Sequence, residues 1–217
     1  MTELLSIPRG ITAIIGSGGK TTLMMALAHR LPGRRIIATS TKIYAPKDLP
    51  LFDGSELAAI DAALSAHGLV CVGTNAPEGK LGAPCCSFEA LSAMCDFLLV
   101  EADGSRKLPL KAHSSHEPVI PPSSALTILV TGMSGLGRPI TDCAHRPELF
   151  ASLCGKEVCD IATAEDVAAV IAKESLGDIV LLNQLDASSL AEAKRIASLL
   201  PCPVFAGSLA LEQLEKV

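Results

Sequence analysis

The sequence predicts an α/β fold of three layers, a mostly parallel sheet covered by helices on both faces. Three observations carry that expectation. Short apolar runs of strand length alternate with segments whose apolar residues recur at helical spacing. Several runs end in polar clusters, and in open α/β sheets ligands sit beyond the carboxyl ends of the strands. The first run passes through Gly16-Ser17-Gly18-Gly19 straight into Lys20-Thr21-Thr22 and a helix. That last feature makes the expected architecture P-loop NTPase-like, with residues 1–217 forming one domain.

Composition narrows the function classes. With 49% hydrophobic and 19% charged residues the chain reads as globular. A net charge of −5 and only 3% aromatics argue against a general nucleic-acid or anionic-membrane binder. No apolar run is long enough for a spanning helix, and MTELLSIPRG lacks a charged-then-apolar secretory pattern, so a cytoplasmic protein is expected. Eight cysteines include no C-x-x-C pair, and adjacent Cys85 and Cys86 are poorly placed to chelate one metal. Reduced cysteines used as small apolar residues are expected, with a metal or redox site as the alternative.

Taken in order, residues 11–15 are a buried strand, and Leu23, Met24, Leu27 and Leu31 mark one face of the following helix. The glycines between them let backbone N–H groups approach an anion, and the helix N-terminus adds partial positive charge. Gly16, Ser17, Gly18, Gly19, Lys20, Thr21 and Thr22 are therefore candidate phosphate ligands. Lys20 would reach the β/γ-phosphates and Thr21 would help hold Mg²⁺. The loop reads G-x-x-G-K-T-T. The longer G-x-x-x-x-G-K-[ST] spacing would place a glycine where Ile14 stands. The shortened form is similar to the phosphate loop of Mur ligases and folylpolyglutamate synthetases; an ordinary βα turn with a surface lysine is the competing reading.

A second strand over 35–39 ends in Ser40-Thr41-Lys42, which either faces the same phosphates or forms a polar turn. Residues 44–52 read as irregular. Asp53 with Glu56 suggests a capping box for a helix that buries Leu57, Ile60 and Leu64 and stops at Gly68. A strand over 69–72, a loop over 73–84 and a helix over 87–94 follow.

The apolar strand over 97–100 ends in Glu101-Ala102-Asp103, the shape of a Walker B element. In extended backbone both carboxylates share one face, and either one could meet Mg²⁺. Residues 106–122 read as a loop in which His113, His116 and Glu117 are satisfied or solvated, with a metal site as the alternative. A strand over 126–130 leads to a second glycine loop over 132–139, then to Arg138, His145 and Arg146. These arginines could supply charge to a substrate or γ-phosphate, or pair with surface acids.

Thr163 with Asp166 is a second capping box, opening a helix on Val167, Val170 and Ile171. A strand over 179–182 leads into Asn183-Gln184-Leu185-Asp186, similar to the N-K-x-D base-recognition motif with Gln184 in place of lysine. Asn183 and Asp186 are thus candidate base ligands, or the turn is simply capped by Asp186. A helix over 187–200 and a strand over 204–205 close the sheet.

With these pieces together the chain resembles the YqeC family over most of its length. The carriers are IIGSGGKTTLM (14–24), ATSTKIYAP (38–46), LLVEADGSRKLPLKAH (98–113), HEPVIP (116–121), LGRPI (136–140), HRPE (145–148) and LLNQLD (181–186). The resemblance implies an accessory protein of selenium-dependent molybdenum hydroxylases. Its implied partners are a selenium or molybdenum cofactor species and a molybdenum hydroxylase. It also implies that Thr41, Lys42, Glu101, Asp103, Lys111, His116, Arg138, His145 and Arg146 surround the site. The expected activity is Mg²⁺-dependent binding of ATP or GTP with hydrolysis or phosphoryl transfer. Lys20, Glu101, Asp103 and Arg146 would be the catalytic residues, and Thr21, Glu101 and Asp103 the metal ligands. The alternative is a nucleotide-dependent chaperone or switch that delivers a cofactor.

Overall fold

The computed structural model describes residues 2–186 and 188–217. A short helix α1 (Thr2–Leu5) precedes β1 (Gly10–Gly16), which runs through the glycines into α2 (Lys20–Arg30). Next come β2 (Arg35–Thr39), β3 (Ile43–Tyr44), β4 (Leu51–Phe52), α3 (Leu57–His67) and β5 (Leu69–Val72). They are followed by β6 (Thr74–Ala76), β7 (Lys80–Gly82), α4 (Phe88–Ser92) and β8 (Phe97–Glu101). Then β9 (Leu110–Lys111), β10 (Ser124–Gly132), α5 (Ile140–Cys143), β11 (Ala144–His145) and α6 (Pro147–Cys154) lead to α7 (Ala164–Glu174). The chain continues through β12 (Ile179–Asn183), α8 (Leu190–Leu199), β13 (Val204–Ser208) and β14 (Gln213–Lys216).

The main sheet has the order β14-β13-β12-β10-β1-β8-β2-β5-β4 and is parallel except for the antiparallel β13–β14 pair. This is the mixed α/β architecture expected: a large, mostly parallel sheet flanked by helices. Strand side chains alternate between faces, and the core divides accordingly. Ile14, Ile37, Leu99, Ile128 and Leu181 pack on one face with Leu23, Met24 and Leu27 of α2. On the other face Ile36, Val70, Leu98 and Val100 meet Ile60 and Leu64 of α3 and Leu91. Beside them Ile15, Leu129, Val180 and Leu182 meet Phe150 of α6, Val167 and Ile171 of α7, and Ile196 of α8. Strands buried on both faces explain why they read as continuous apolar runs.

β1 lies between β8 and β10, with Ile14 opposite Glu101 and Gly16 opposite Val130. The glycine loop therefore emerges beside the carboxylates that end β8.

Several elements depart from the sequence expectation. The Asp53–Glu56 box does not form. Asp53 Oδ1 instead accepts from the amide and hydroxyl of Ser55, and α3 starts after Glu56 without a side-chain cap. Such a local Asx turn competes with helix capping. The segment over 73–84 is not plain loop: β7 pairs with β6 on one side and β3 on the other in a three-stranded antiparallel sheet. α8 starts at Leu190; residue 187, the expected start, lies outside the described residues. The Thr163–Asp166 box forms as expected. Among the described residues no helix is long and apolar enough to cross a membrane. All eight cysteines are free; Cys71 and Cys143 are buried, whereas Cys85 and Cys159 are exposed.

Candidate functional site

The glycine loop owes its shape to close backbone approaches. A Cβ on Gly16 would stand 2.2 Å from Val130 O, and one on Gly19 would stand 2.2 Å from Asn183 Nδ2. Both glycines also hold positive φ, 93° and 140°, which side chains resist. Side chains pin the loop from outside. Ser17 Oγ donates to Pro109 O at 2.7 Å, and Asn183 Nδ2 donates to Gly18 O at 2.7 Å. Asn183 Oδ1 accepts from Leu209 N, so one amide joins the loop to the end of β13.

The N-terminus of α2 is left open. Gly19 provides no side-chain cap and the first turn holds no acid. In contrast, Ser87 caps α4 and Thr163 caps α7. Among the described residues the N–H groups of Gly18, Gly19, Lys20 and Thr21 meet no protein acceptor. Four free donors at the positive end of a helix dipole make an anion cradle.

A charged cluster lies beneath that cradle. Lys20 Nζ donates to Gly16 O at 2.7 Å and stands 3.2 Å from Asp103 Oδ1 and 3.8 Å from Glu101 Oε1. Thr21 Oγ1 donates to Glu101 Oε2 at 2.7 Å. Asp103 is wholly buried; its Oδ2 accepts from Gly16 N and Lys111 Nζ, each at 2.8 Å. Its Oδ1 accepts no hydrogen bond, because Lys20 approaches it as an ion pair without an aligned N–H. Lys111 Nζ also donates to Gly104 O and Glu117 Oε2, and Arg146 Nη1 reaches that same Glu117 oxygen at 2.9 Å.

These surroundings set the charges. Burial would raise the Asp103 carboxyl, but the His113 hydrogen bond and the Lys20 and Lys111 ammoniums hold it at about 2. For Glu101 burial wins over Lys20 and Thr21, and its carboxyl is raised. Burial works against the His113 cation, yet Asp103 and Glu174 outweigh it and raise the ring. His145 is lowered to about 4, by burial and then by the positive charges of Lys111, Arg146 and Arg106. Burial would raise Glu117, but Lys111 and Arg146 hold it low.

Thr21 Oγ1, Glu101 and the unbonded Asp103 Oδ1 form an oxygen-only donor set. A small hard cation that retains waters suits such a set. Among the described residues no group of three or more His, Cys, Asp or Glu forms an all-protein cage.

Other expected residues divide. Thr41 N donates to Thr39 Oγ1, which donates to Glu101 O, placing this cluster at the rim of the site. Lys42 is exposed, and its charge acts on Glu78 of the small sheet. Thr22 is exposed beside the loop. Arg146 reaches the cluster through Glu117, and His145 is the β11 partner of Lys111. Arg138 bonds to Asp142 O, and His116 is exposed; neither contacts the buried cluster among the described residues. Asp186 Oδ1 accepts from Ser188 and Ser189, the capped-turn alternative, while Gln184 Oε1 takes the Ser134 hydroxyl over Gly132. Sequence reasoning missed Glu174 entirely, and it placed His113 in a loop, as found, without foreseeing its contacts to Asp103 and Glu174. Nothing local marks Glu174, since 61 residues separate it from the His113 ring it meets.

The fold and site define an α/β protein with an open anion cradle at a helix N-terminus, above a buried lysine–carboxylate cluster. The chain belongs to the YqeC family, whose model, described as YqeC protein, matches residues 12–148. It is 37% identical over 157 residues to a protein of Escherichia coli (strain K12) described as uncharacterized protein YqeC. That match covers 67% of this chain and 60% of the relative's length. No solved structure matches the chain. The family match includes the loop, Glu101, Asp103, Lys111, His113 and Arg146 but not Glu174, Asn183 or Asp186.

Proposed function

We propose that this chain is a P-loop NTPase-like protein that binds ATP or GTP with Mg²⁺ at the Gly16–Thr22 loop. The carrying observation is the uncapped start of α2, whose free N–H groups lie beside Lys20, Thr21 and two buried carboxylates. Gly18 and Gly19 amides would hold phosphate oxygens, and Lys20 would leave Gly16 O for the β/γ-phosphates. Mg²⁺, held by Thr21 with Glu101 or Asp103, would offset phosphate charge. Arg146 would add positive charge beyond Lys111, and hydrolysis or phosphoryl transfer would rest on positioning and electrostatics. The wider role proposed, maturation of a selenium-dependent molybdenum hydroxylase cofactor, rests on the motif resemblance given under Sequence analysis. One observation favours a slow nucleotide switch: Lys20 is 4% exposed and bound to the loop's own carbonyl, so binding must rearrange it.

The test is thermal unfolding with a nucleotide panel and Mg²⁺. At ligand concentrations near 100 Kd, binding adds about 2.7 kcal/mol, or roughly 5–10 °C in Tm, absent in Lys20→Ala. No shift with any nucleotide removes both readings. Binding with turnover no faster than Lys20→Ala leaves the switch. For the wider role, a strain lacking this chain should yield hydroxylase with a reduced selenium-to-molybdenum ratio; an unchanged ratio refutes it.

A further inference from the structure

Asp103 is held by residues from widely separated parts of the chain. Its Oδ2 accepts from Gly16 N and Lys111 Nζ and lies 2.8 Å from His113 Nε2. The other ring nitrogen, Nδ1, lies 2.7 Å from Glu174 Oε2, and Glu174 Oε1 accepts the His113 backbone N–H at 2.6 Å. One carboxylate at the end of α7 thus fixes both the ring and the backbone of His113. Ionised carboxylates only accept, so a ring between two of them donates from both nitrogens. Charge-assisted bonds of this kind in a buried setting hold side chains in one geometry. The His113 and Glu174 side chains are 4% and 8% exposed.

We propose that His113 and Glu174 are positioning residues for the glycine loop. They lock Asp103 with Oδ2 on Gly16 N–H and Oδ1 toward Lys20, so that Glu101, with Thr21, is the carboxylate that meets the cation. The cation clause rests on the nucleotide reading, whereas the loop clause stands on the geometry alone. Glu101 is suited to its part because its Oε2 bonds only Thr21 and its Oε1 is 3.8 Å from Lys20. Asp103 Oδ2 is already saturated by three donors, and its Oδ1, although free of hydrogen bonds, faces the Lys20 ammonium at 3.2 Å, closer than Glu101 Oε1 does.

Amide hydrogen exchange on the full chain without ligand tests the loop clause. In the wild type Gly16 N–H exchanges about tenfold or more slowly than Gly18 and Gly19, which lack acceptors. Glu174→Gln and His113→Gln each remove that protection while the β2 amides stay protected as a folding control. Equal exchange of Gly16 and Gly18 in the wild type overturns the proposal even if neither variant folds. So does undiminished protection in both folded variants. The cation clause is read by Mg²⁺ titration with a non-hydrolysable nucleotide. Glu101→Gln raises the Mg²⁺ midpoint by about tenfold or more, and Glu174→Gln shifts it less. The reverse order overturns the assignment. A wild type that binds no nucleotide defeats the functional reading and with it the cation clause, while amide exchange still judges the loop clause.

Discussion

Asp103 and Glu101 are two residues apart, on one strand end, and their environments drive them in opposite directions. Asp103 is surrounded by Lys20, Lys111 and His113 and is held at about 2. Glu101, with fewer partners, is raised by burial. Removing the charge should therefore have unequal costs. Asp103→Asn keeps an acceptor oxygen but removes the negative charge facing Lys20, Lys111 and His113, and should destabilise by about 3–5 kcal/mol, the cost of breaking a buried ionic group on one side. Glu101→Gln removes a carboxylate whose charged form burial already disfavours, and should cost about 1 kcal/mol or less. Denaturant unfolding of both variants checks this, and equal losses would contradict the assignment. Gly19→Ala offers a second check at this scale. Its Cβ meets Asn183 Nδ2 at 2.2 Å in a backbone with φ 140°, so the loop must shift. Loss of the Tm gain with nucleotide is expected, with the protein still folded by circular dichroism.

At the scale of elements, two helix N-termini contrast. α7 starts on a complete capping box, with Thr163 accepting from Asp166 N and Asp166 Oδ2 accepting from Thr163 N. Thr163→Ala should cost about 1 kcal/mol, measured by thermal unfolding. α2 starts uncapped, as α3 does, but among the described residues only at α2 do the free N–H groups lie beside a buried lysine and two buried carboxylates. The same contrast shows what the sequence could reveal. Thr163-x-x-Asp166 worked because nothing nearby competes for the threonine. Asp53-x-x-Glu56 failed because Ser55, two residues on, takes the aspartate first. Buried strands were legible as apolar runs. β3, β6 and β7 were not, because their short backbone pairing leaves little side-chain pattern, and exposed β14 is likewise tied mainly by backbone bonds. Lys20, Thr21, Glu101 and Asp103 were readable from local motifs. Glu174 was not, since only tertiary packing brings α7 to His113.

Across the whole molecule, acid should reveal how the positive field around Lys111 is balanced. His145 titrates at about 4 in the folded chain against an ordinary value of 6.5. Above 6.5 it is neutral in both states. As pH falls from about 6.5 toward 4, the unfolded chain takes a proton that the folded one refuses, and stability declines. His113 has the opposite sign: its raised value contributes stability in full below 6.5, lost only as pH rises through the folded value. Asp103, held at about 2 against an ordinary 3.8, adds to the decline only at the acid end of the window, where the unfolded carboxyl begins to take its proton. Glu101, being raised, takes a proton earlier folded than unfolded and offsets part of the decline. Comparing variants isolates His145 from these other groups. His145→Gln should flatten the fall in unfolding free energy between about pH 6.5 and 4 relative to the wild type. Lys111, Arg146 and Glu117 remain in place in this variant. Parallel denaturation series at pH 7.5, 5.5 and 4.5, with about the same spacing for each protein, read the difference directly. Identical slopes for the two proteins would show that burial and the field of Lys111, Arg146 and Arg106 do not together lower this ring.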